Sequence, residues 1–336
     1  SFPTRRSSDL ITHLRKYLSK DVNMPNTPSL LNNKHPHDRG GAAESLLSNF
    51  VAPNSLRAYC VDFEQFETWC ISVAETALPA TTSTIISYVE YLIEAPETYK
   101  VDTIKRKIYA ISSVHKVADL PTPVTAKVRK MLGALQRRRS GEQQQAIPAL
   151  SDYMAQAIRL IDPDTNKGKR DQAVLLLGFV GCFRRSELAA IKIADIDFSP
   201  KGATIIIWGS KTDHTGGGMV KAIPYSSHPE LCPVRALQSW IAAAQLTEQH
   251  HLFVSIAKGD HIKPDSPCDA EGKMINRIIK TYLGNNYSGH SLRVGFAVQA
   301  YENGASGLHI QQQGGWRTDT MVKRYVRKSD IWRENA

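Results

Sequence analysis

Apolar residues in the first half of the chain recur at intervals of three and four, which is the spacing of an amphipathic helix. Asn54 or Ser55 can cap the first such stretch, in which Tyr59, Phe63 and Phe66 fall on one face. Four stretches with this spacing follow one another, at residues 54–70, 82–94, 101–117 and 123–138. They predict a small four-helix domain over residues 44–139.

The second half mixes the helical spacing with short runs of β-branched residues. Five further helices are predicted, at residues 151–160, 169–180, 233–244, 270–283 and 294–303. Three runs rich in Val, Ile and Thr predict short strands, with a Gly-rich turn before the last of them: residues 195–198, 203–208 and 219–224. We expect a mainly helical domain over residues 150–336 with one small antiparallel β-sheet.

Three other segments show no such periodicity. Residues 140–149 are polar and rich in Gln, which predicts a linker between the two domains. Residues 11–43 mix Asn, Pro, His, Lys and Gly and are interpreted as a flexible arm. Residues 1–10 resemble a translated sequencing adapter, so we treat them as a probable non-native scar and leave them out of the fold prediction.

The charge of the chain is strongly positive and unevenly distributed. Its formal net charge is +10, which indicates a polyanionic partner such as nucleic acid. Between Lys100 and Arg139, eleven Lys or Arg residues stand against Asp102 and Asp119, a net charge of +9. The alternative is an ordinary solvated helical face. The candidate DNA-binding residues are Lys105, Arg106, Lys107, Lys127, Arg129, Lys130, Arg137, Arg138 and Arg139.

Several classes of protein are disfavoured by composition. The five cysteines are widely spaced and form no CxxC pair, which argues against a disulfide framework and against a structural zinc site. We therefore expect no metal and no cofactor. No apolar run approaches the roughly 20 residues that span a bilayer. The expected location is the cytoplasm, in association with the host DNA, without a membrane partner.

The polar residues between 289 and 327 suit phosphate chemistry better than packing. His290 and Arg293 are three residues apart and project from one face of a helix. An imidazole beside a guanidinium offers two flat donors to a phosphate. Tyr325 follows in a basic setting, and a phenol becomes a useful nucleophile only where cations stabilise its oxyanion. The alternative is a surface His–Arg pair and a core tyrosine.

A second arginine motif lies upstream. Arg184 and Glu187 are three residues apart, and we expect them to share one face of a helix, where the carboxylate can orient the guanidinium. Trp316 follows the pair Gly314 and Gly315. An Arg-x-x-Glu pair alone is a weak signal, but its combination with the downstream residues is specific.

Together these motifs resemble the tyrosine site-specific recombinase (phage integrase) family, and within it the Cre-like members. The segments that carry the resemblance are residues 181–188, 209–211, 289–295, 314–316 and Tyr325. The resemblance extends from about residue 43 to the C-terminal region. It implies an N-terminal core-binding (SAM-like) domain followed by a tyrosine-recombinase catalytic domain. It also implies DNA strand cleavage and rejoining through a 3′-phosphotyrosine, without metal or ATP.

The resemblance assigns a role to each motif residue. Arg184 and Arg293 would hold the scissile phosphate, and Glu187 would orient Arg184. Tyr325 would attack the phosphorus, and His290 would hydrogen-bond the phosphate and assist the transfer of the tyrosine proton.

Two further roles follow from the same resemblance. Lys211 would be the general acid that protonates the leaving 5′-oxygen. Trp316 would donate its indole N–H to the phosphate, at a position where many members have histidine.

Several alternatives stay open. Arg185 competes with Arg184, Lys221 with Lys211, and Tyr287 and Tyr301 with Tyr325. The tryptophan at position 316 could instead be a core residue. Two alternative functions are a type IB topoisomerase, which shares this catalytic plan, and a DNA-binding protein that has lost activity.

The resemblance also implies an assembly. The expected partner is double-stranded DNA with inverted-repeat half-sites, bound by one dimer per site and by a homotetramer on two paired sites. Family members commonly send a C-terminal segment onto a neighbouring protomer. Only eleven residues follow Tyr325 here, and Trp332 is the candidate anchor among them.

Overall fold

The computed structural model describes residues 53–95, 99–139, 146–209, 217–269 and 271–330. The chain forms two compact units that divide between Gln144 and Gln145. Four of the sequence predictions lie outside the described residues: the scar 1–10, the arm 11–43, the general acid Lys211 and the anchor Trp332. Most of the predicted linker, residues 140–145, also lies outside them.

The first unit contains the four expected helices. They are α1 (Pro53–Ser72), α2 (Thr82–Glu94), α3 (Val101–Val117) and α4 (Ala126–Arg138). The bounds of α1 and the start of α4 differ slightly from the prediction. Helix α1 starts at Pro53, whose fixed φ and missing N–H suit the first helical position. Helix α4 starts only after Thr125, which serves as its N-cap.

Aromatic and β-branched residues form the core of the first unit. Phe63, Phe66 and Tyr88 are almost fully buried, and the ring centroids of Phe66 and Tyr88 are 4.9 Å apart. Ile104 and Ile108 from α3 complete the centre of this core. The periodic positions of the sequence therefore form the buried faces.

A buried histidine joins α3 to the segment before α2. His115 is fully buried, and its Nε2 accepts a 2.8 Å hydrogen bond from the Ala80 N–H. Because Nε2 is an acceptor, Nδ1 carries the proton and donates to Ile111 O at 2.8 Å. Burial lowers the pKa of His115 below its usual 6.5, although the bond to Ile111 acts in the opposite direction.

We expect the stability of the first unit to fall as the pH drops below about 6.5. The unfolded chain binds a proton at His115 more readily than the folded chain, so the contribution is present above the unfolded pKa and decreases below it. The slope is at most about 1.4 kcal/mol per pH unit. Hydrogen exchange at the Ala80 amide, measured at about pH 5.5 and about pH 7.5, should show this loss. A His115→Gln variant should lose the pH dependence, and a variant of the exposed His309 should keep it.

The basic residues of the first unit divide into two groups. Six of the predicted DNA-binding residues have exposed side chains: Arg106, Lys127, Arg129, Lys130, Arg137 and Arg138. Lys107 was expected to point outward, and that expectation is wrong. Its side chain is 3% exposed, donates to Gln65 Oε1 and lies 3.4 Å from the buried Asp62 carboxylate. Arg106 pairs with the same carboxylate at 2.7 Å.

The second unit is mainly helical. Its helices are α5 (Ser151–Arg159), α6 (Asn166–Val180), α7 (Arg185–Ala190), α8 (Pro233–Ala244), α9 (Lys273–Leu283), α10 (Gly289–Glu302), α11 (Gly307–Gly314) and α12 (Asp319–Asp330). Short 3₁₀ turns precede β1 and α8. Helix α6 is apolar on all sides from Ala173 to Leu177 and lies in the centre of the core.

A three-stranded antiparallel sheet of order β1-β2-β3 lies where the sequence predicted it. The strands are Ile196–Ser199, Gly202–Ile207 and Met219–Pro224. A second antiparallel pair, β4 (Val254–Ala257) and β5 (His261–Pro267), was not predicted, so the described residues of this unit form two small sheets rather than one. Strand β5 contains two prolines and mostly polar residues, which by sequence argue against a strand.

The start of the second unit packs closely against α10. Ala149, at the end of the predicted linker, is buried, and its N–H donates to Ser291 O at 3.0 Å. A Cβ on Gly295 would lie 2.0 Å from Ala149 O, so glycine is required at this crossing. Of the helices in the described ranges, none is both long enough and apolar enough to cross a bilayer.

Candidate active site

Arg184 lies at a turn between two helices. Helix α6 ends at Val180, and Arg184 is the N-cap of α7 rather than a residue inside the helix, as the sequence analysis expected. The Glu187 carboxylate, three residues later, accepts a 2.8 Å bond from the Arg184 backbone N–H and a second bond from its guanidinium. This capping arrangement holds the Arg184 guanidinium in a fixed orientation.

The carboxylate of Glu187 remains ionised in this buried place. Burial alone would raise the pKa of Glu187, but the Arg184 backbone N–H and guanidinium outweigh burial and hold the pKa below its usual value. The negative charge therefore stays next to Arg184 at neutral pH and fixes the direction of its guanidinium.

A Glu187→Gln variant should lower the free energy of unfolding by about 1–3 kcal/mol near neutral pH, because the amide loses the charge-assisted bonds. Since the folded pKa of Glu187 is depressed, its stabilisation is present above its unfolded pKa and is lost as the pH falls. Urea unfolding at several pH values measures both effects. The exposed Glu248, changed to Gln, is the matched control and should cost little. An equal cost in both variants would contradict this account.

Arg293 and His290 lie on the first turns of α10. Arg293 is buried, and its guanidinium donates to two backbone carbonyls, Cys182 O and Gly314 O. His290 is exposed, as expected from the first turn of a helix that opens onto a pocket. Neighbouring side chains nevertheless displace part of the water around the imidazole, and this desolvation, together with the charges of Arg293 and Arg324, lowers the pKa of His290. The imidazole is therefore neutral near pH 7.

Two glycines place Trp316 beside Arg293. Gly315 has a φ of 59°, in the left-handed region, and caps α11. A Cβ on Gly314 would lie 2.0 Å from the Trp316 ring. The turn therefore lets the indole fold back, and the Arg293 guanidinium carbon lies 4.5 Å from its ring centroid. This cation–π contact keeps both planar groups in a fixed orientation.

Tyr325 on α12 reaches the same place. Its side chain is 9% exposed, and its hydroxyl oxygen lies 3.4 Å from His290 Nε2. The Trp316 ring centroid lies 5.5 Å from that of Tyr325. Burial raises the pKa of Tyr325, and the charges of Arg293 and Arg324 oppose that rise. The phenol is therefore protonated in the free protein.

One pocket of about 420 Å³ brings these side chains together. Five of the six residues predicted to be catalytic line it: Arg184, His290, Arg293, Trp316 and Tyr325. The sixth, Lys211, lies outside the described residues. Arg185 lines the same pocket with an exposed side chain, whereas Tyr287 and Tyr301 do not line it.

Three residues that line the pocket have no motif in the sequence that marks them: Asn276, Ser288 and Met321. Lys221 was weighed only as an alternative to Lys211. It is fully buried, and its ammonium donates to backbone carbonyls instead of lining the pocket. Residues of β3 alternate between buried and exposed, and Lys221 falls on the inward side of the strand. This alternation is the one signal in the sequence for the burial of Lys221.

Sequence comparisons show which known proteins are similar to this chain. The model of the phage integrase family matches residues 149–331, more than half of the chain. An integrase/recombinase from Selenomonas ruminantium, a XerD homolog, is 34% identical over 304 residues, which cover 88% of this chain and 87% of that protein. The Cre recombinase of Escherichia phage P1 is 24% identical over 283 residues, which cover 78% of this chain and 80% of Cre.

Solved structures share the fold. The XerH site-specific recombinase, in a post-cleavage complex with a palindromic difH substrate, matches with a TM-score of 0.58 and 14% identity over 96% of this chain and 92% of that chain. A lambda integrase dimer bound to a COC′ core site matches with a TM-score of 0.54 and 16% identity over 85% of this chain and 93% of that chain. With the family match and the XerD-like relative, the fold and the pocket lead to one conclusion: this chain belongs to the phage integrase family of tyrosine recombinases.

Proposed function

We propose that this protein is a site-specific DNA recombinase that cuts and rejoins DNA strands through a covalent 3′-phosphotyrosine intermediate. One observation carries the proposal: the Tyr325 hydroxyl lies 3.4 Å from a histidine nitrogen in a pocket that Arg184 and Arg293 also line. A protein that only binds DNA does not require a tyrosine hydroxyl beside a proton acceptor in a pocket that two guanidinium groups line.

A DNA phosphate is the ligand that fits this pocket. The guanidinium groups of Arg184 and Arg293 would donate to its non-bridging oxygens, and the Trp316 indole N–H would be a third donor. The pentacoordinate transition state carries more negative charge than the phosphodiester, so these donors stabilise it more than the ground state. The side chains supply this charge themselves, and we therefore propose a reaction that needs neither a metal ion nor ATP.

Tyr325 would attack the phosphorus, and the P–O5′ bond would break. The phenolic proton would pass to the neutral His290 Nε2, and the departing 5′-oxygen would take a proton from Lys211. The products are a 3′-phosphotyrosine and a free 5′-hydroxyl. Attack of a 5′-hydroxyl on the phosphotyrosine reverses each step, and the covalent link retains the free energy of the phosphodiester.

The raised pKa of Tyr325 has a consequence for control of the reaction. Burial keeps the phenol protonated in the free protein, so the nucleophile is weak until a phosphate enters. A bound phosphate gives the two arginines a partner and brings the phosphorus to the hydroxyl, so that proton transfer to His290 accompanies attack.

The first unit would supply the sequence-independent part of DNA binding. The exposed cations of α4, Lys127, Arg129, Lys130, Arg137 and Arg138, form a basic surface that can neutralise backbone phosphates. We propose residues 44–139 as the core-binding domain and residues 150–336 as the catalytic domain. The affinity for DNA should fall steeply with salt concentration.

The assembly that we propose is a dimer on two inverted half-sites and a tetramer on two paired sites. The palindromic substrate in the XerH complex and the lambda integrase dimer on its core site support this proposal. Two-fold symmetry of a dimer matches an inverted repeat in DNA. The C-terminal residues that include Trp332 are proposed to contact the neighbouring protomer.

Covalent capture tests the function. Inverted repeats are first sought in the DNA that flanks the gene, as candidate sites. A duplex nicked next to the scissile phosphate then lets the short 5′-hydroxyl fragment diffuse away, which traps the intermediate. We expect a covalent protein–DNA adduct in the presence of a chelator, with the DNA-linked peptide containing Tyr325. DNA binding without any adduct would support the alternative of an inactive binding protein. Relaxation of a plasmid that lacks these repeats would support a topoisomerase.

A further inference from the structure

A buried lysine lies behind the pocket. Lys221 is on β3, opposite Ile205 of β2, and its side chain is 0% exposed. Its ammonium donates to three backbone carbonyls: Gly181 O at 2.7 Å, Cys182 O at 3.2 Å and Gln313 O at 2.7 Å. An ammonium has three N–H donors, so the three carbonyls use all of them. Because every N–H of the ammonium has an acceptor, these hydrogen bonds offset much of the free-energy cost of burying its charge.

The three carbonyls belong to the two turns that carry site residues. Gly181 and Cys182 precede Arg184 in one turn, and Gln313 precedes Gly314, Gly315 and Trp316 in the other. Lys221 thus joins the turn before α7 to the last turn of α11, which leads into Gly315 and Trp316. The strand that carries it belongs to neither turn.

Arg293 makes the same bridge from another element. Its guanidinium donates to Cys182 O and to Gly314 O, so it contacts the same two turns. Cys182 O accepts from both Lys221 and Arg293. A third link joins the turns, because Arg184 Nη2 lies 3.4 Å from Gly315 O. Arg293 therefore shares the Cys182 carbonyl with Lys221, and Arg184 contacts a carbonyl two residues after Gln313, which Lys221 also binds.

The side chain of Gln313 makes further hydrogen bonds between the last turn of α11 and its neighbours. Its Nε2 donates to Val180 O and to Ala222 O, each at 3.1 Å. The last turn of α11 is thus tied to the end of α6 and to β3 by its side chain as well as by its carbonyl. The Lys221 ammonium also lies 4.8 Å from the ring centroid of Phe183, the residue that precedes Arg184.

We propose that Lys221 is a positioning residue of the recombination reaction: its ammonium joins the two turns and so fixes Arg184, Arg293 and Trp316 at the spacing that a DNA phosphate requires. This inference rests on the proposed function. It differs from the role of general acid, because a saturated and fully enclosed ammonium has no proton to give to a leaving oxygen in the pocket.

The surroundings of Lys221 make this role dependent on pH. Burial lowers the pKa of Lys221 to about 8; Cys182 and Glu187 raise it, and Arg293 and Arg184 lower it further. Above that pH the neutral amine has only two N–H donors for three carbonyls, and the bridge weakens. The rate of adduct formation should therefore fall as the pH rises through about 8. An arginine at this position would stay charged.

The test compares Lys221→Met and Lys221→Arg with Lys201→Met as the matched control, since Lys201 is an exposed lysine in the turn between β1 and β2 of the same sheet. The rate of covalent adduct formation is measured in single turnover at saturating protein, and DNA affinity is measured in the Tyr325→Phe background. We expect Lys221→Met to react about 100-fold more slowly, because small misplacement of binding groups costs about that much. Its DNA affinity should change little, and Lys201→Met should react like the unchanged protein.

A second substrate separates positioning from acid catalysis. When sulfur replaces the bridging 5′-oxygen, the leaving thiolate needs no proton. Such a substrate restores the rate of a variant that lacks its general acid, as we expect for Lys211→Ala. It should not restore the rate of Lys221→Met. Restoration of that variant would overturn the inference.

Lys221→Arg keeps the test decisive if the methionine variant fails to fold, which thermal unfolding detects. We expect Lys221→Arg to form the adduct and to lose the decline above about pH 8. A folded arginine variant that keeps this decline, or a folded methionine variant with an unchanged rate, would refute the inference alone. Failure of the unchanged protein to form any adduct would instead refute the proposed function.

Discussion

A Tyr325→Phe variant is expected to form no covalent adduct with DNA, a loss of about 10⁴-fold or more, while it binds DNA about as tightly as the unchanged protein. The change removes only the hydroxyl that would attack the phosphorus. The ring stays, with its centroid 5.5 Å from that of Trp316 and 5.7 Å from that of His290. Because the buried ring still fills its place, the pocket should keep its shape.

The measurement is the trapped adduct on the nicked substrate, followed on denaturing gels, together with a binding titration. Tyr301→Phe is the matched control. Tyr301 packs against the hydrophobic cluster that contains Tyr325, but it does not line the pocket. It should form the adduct at the unchanged rate. An adduct that survives in Tyr325→Phe would remove the assignment of the nucleophile, and its loss in Tyr301→Phe would point to that residue instead.

An Arg293→Lys variant is expected to lower the rate of adduct formation by about 100- to 1000-fold. Lysine keeps the positive charge but is a point charge with a flexible stem. It cannot donate to Cys182 O and Gly314 O in one plane and also stack on Trp316, as the guanidinium does. The donors that face the phosphate would lose their fixed direction.

The same variant should lose stability, because at least one buried carbonyl loses its donor, at about 1–3 kcal/mol. Single-turnover kinetics and urea unfolding measure the two effects separately. Arg185→Lys is the matched control, as Arg185 lines the same pocket with an exposed side chain. We expect little change in that variant. A normal rate in Arg293→Lys, or an equal loss in Arg185→Lys, would contradict the role that we propose for Arg293.

The predictions that depended on local pattern were largely correct. Helices α2 and α3 have the predicted bounds, and β3 does as well, because apolar spacing and β-branched content act over neighbouring residues. The motif residues also converge as expected: the pocket collects Arg184, His290, Arg293, Trp316 and Tyr325 from four separate segments. Local pattern was least informative where polar residues or prolines interrupt it, as in β5, whose pairing with β4 compensates for poor strand-forming residues.

Side-chain burial of charged residues is the point at which sequence reasoning failed. Lys107 follows the exposed Arg106 on α3, yet its own side chain is buried and contacts the buried carboxylate of Asp62 on α1. The two residues are 45 positions apart, and no rule of local spacing relates them. Lys221 was misjudged for the same reason, since its partners are backbone carbonyls that every residue possesses and that no sequence motif marks.

The amino-acid sequence alone determined which residue types could do the chemistry and how they are spaced, since a guanidinium, an imidazole and a phenol are properties of single residues. Only the tertiary structure decided which of these groups meet, which are buried and which pKa values shift, because those properties depend on atoms that distant segments contribute. The Tyr325 hydroxyl beside His290, and the carbonyls that Lys221 shares with Arg293, exist only after α10, α11, α12 and β3 have packed together.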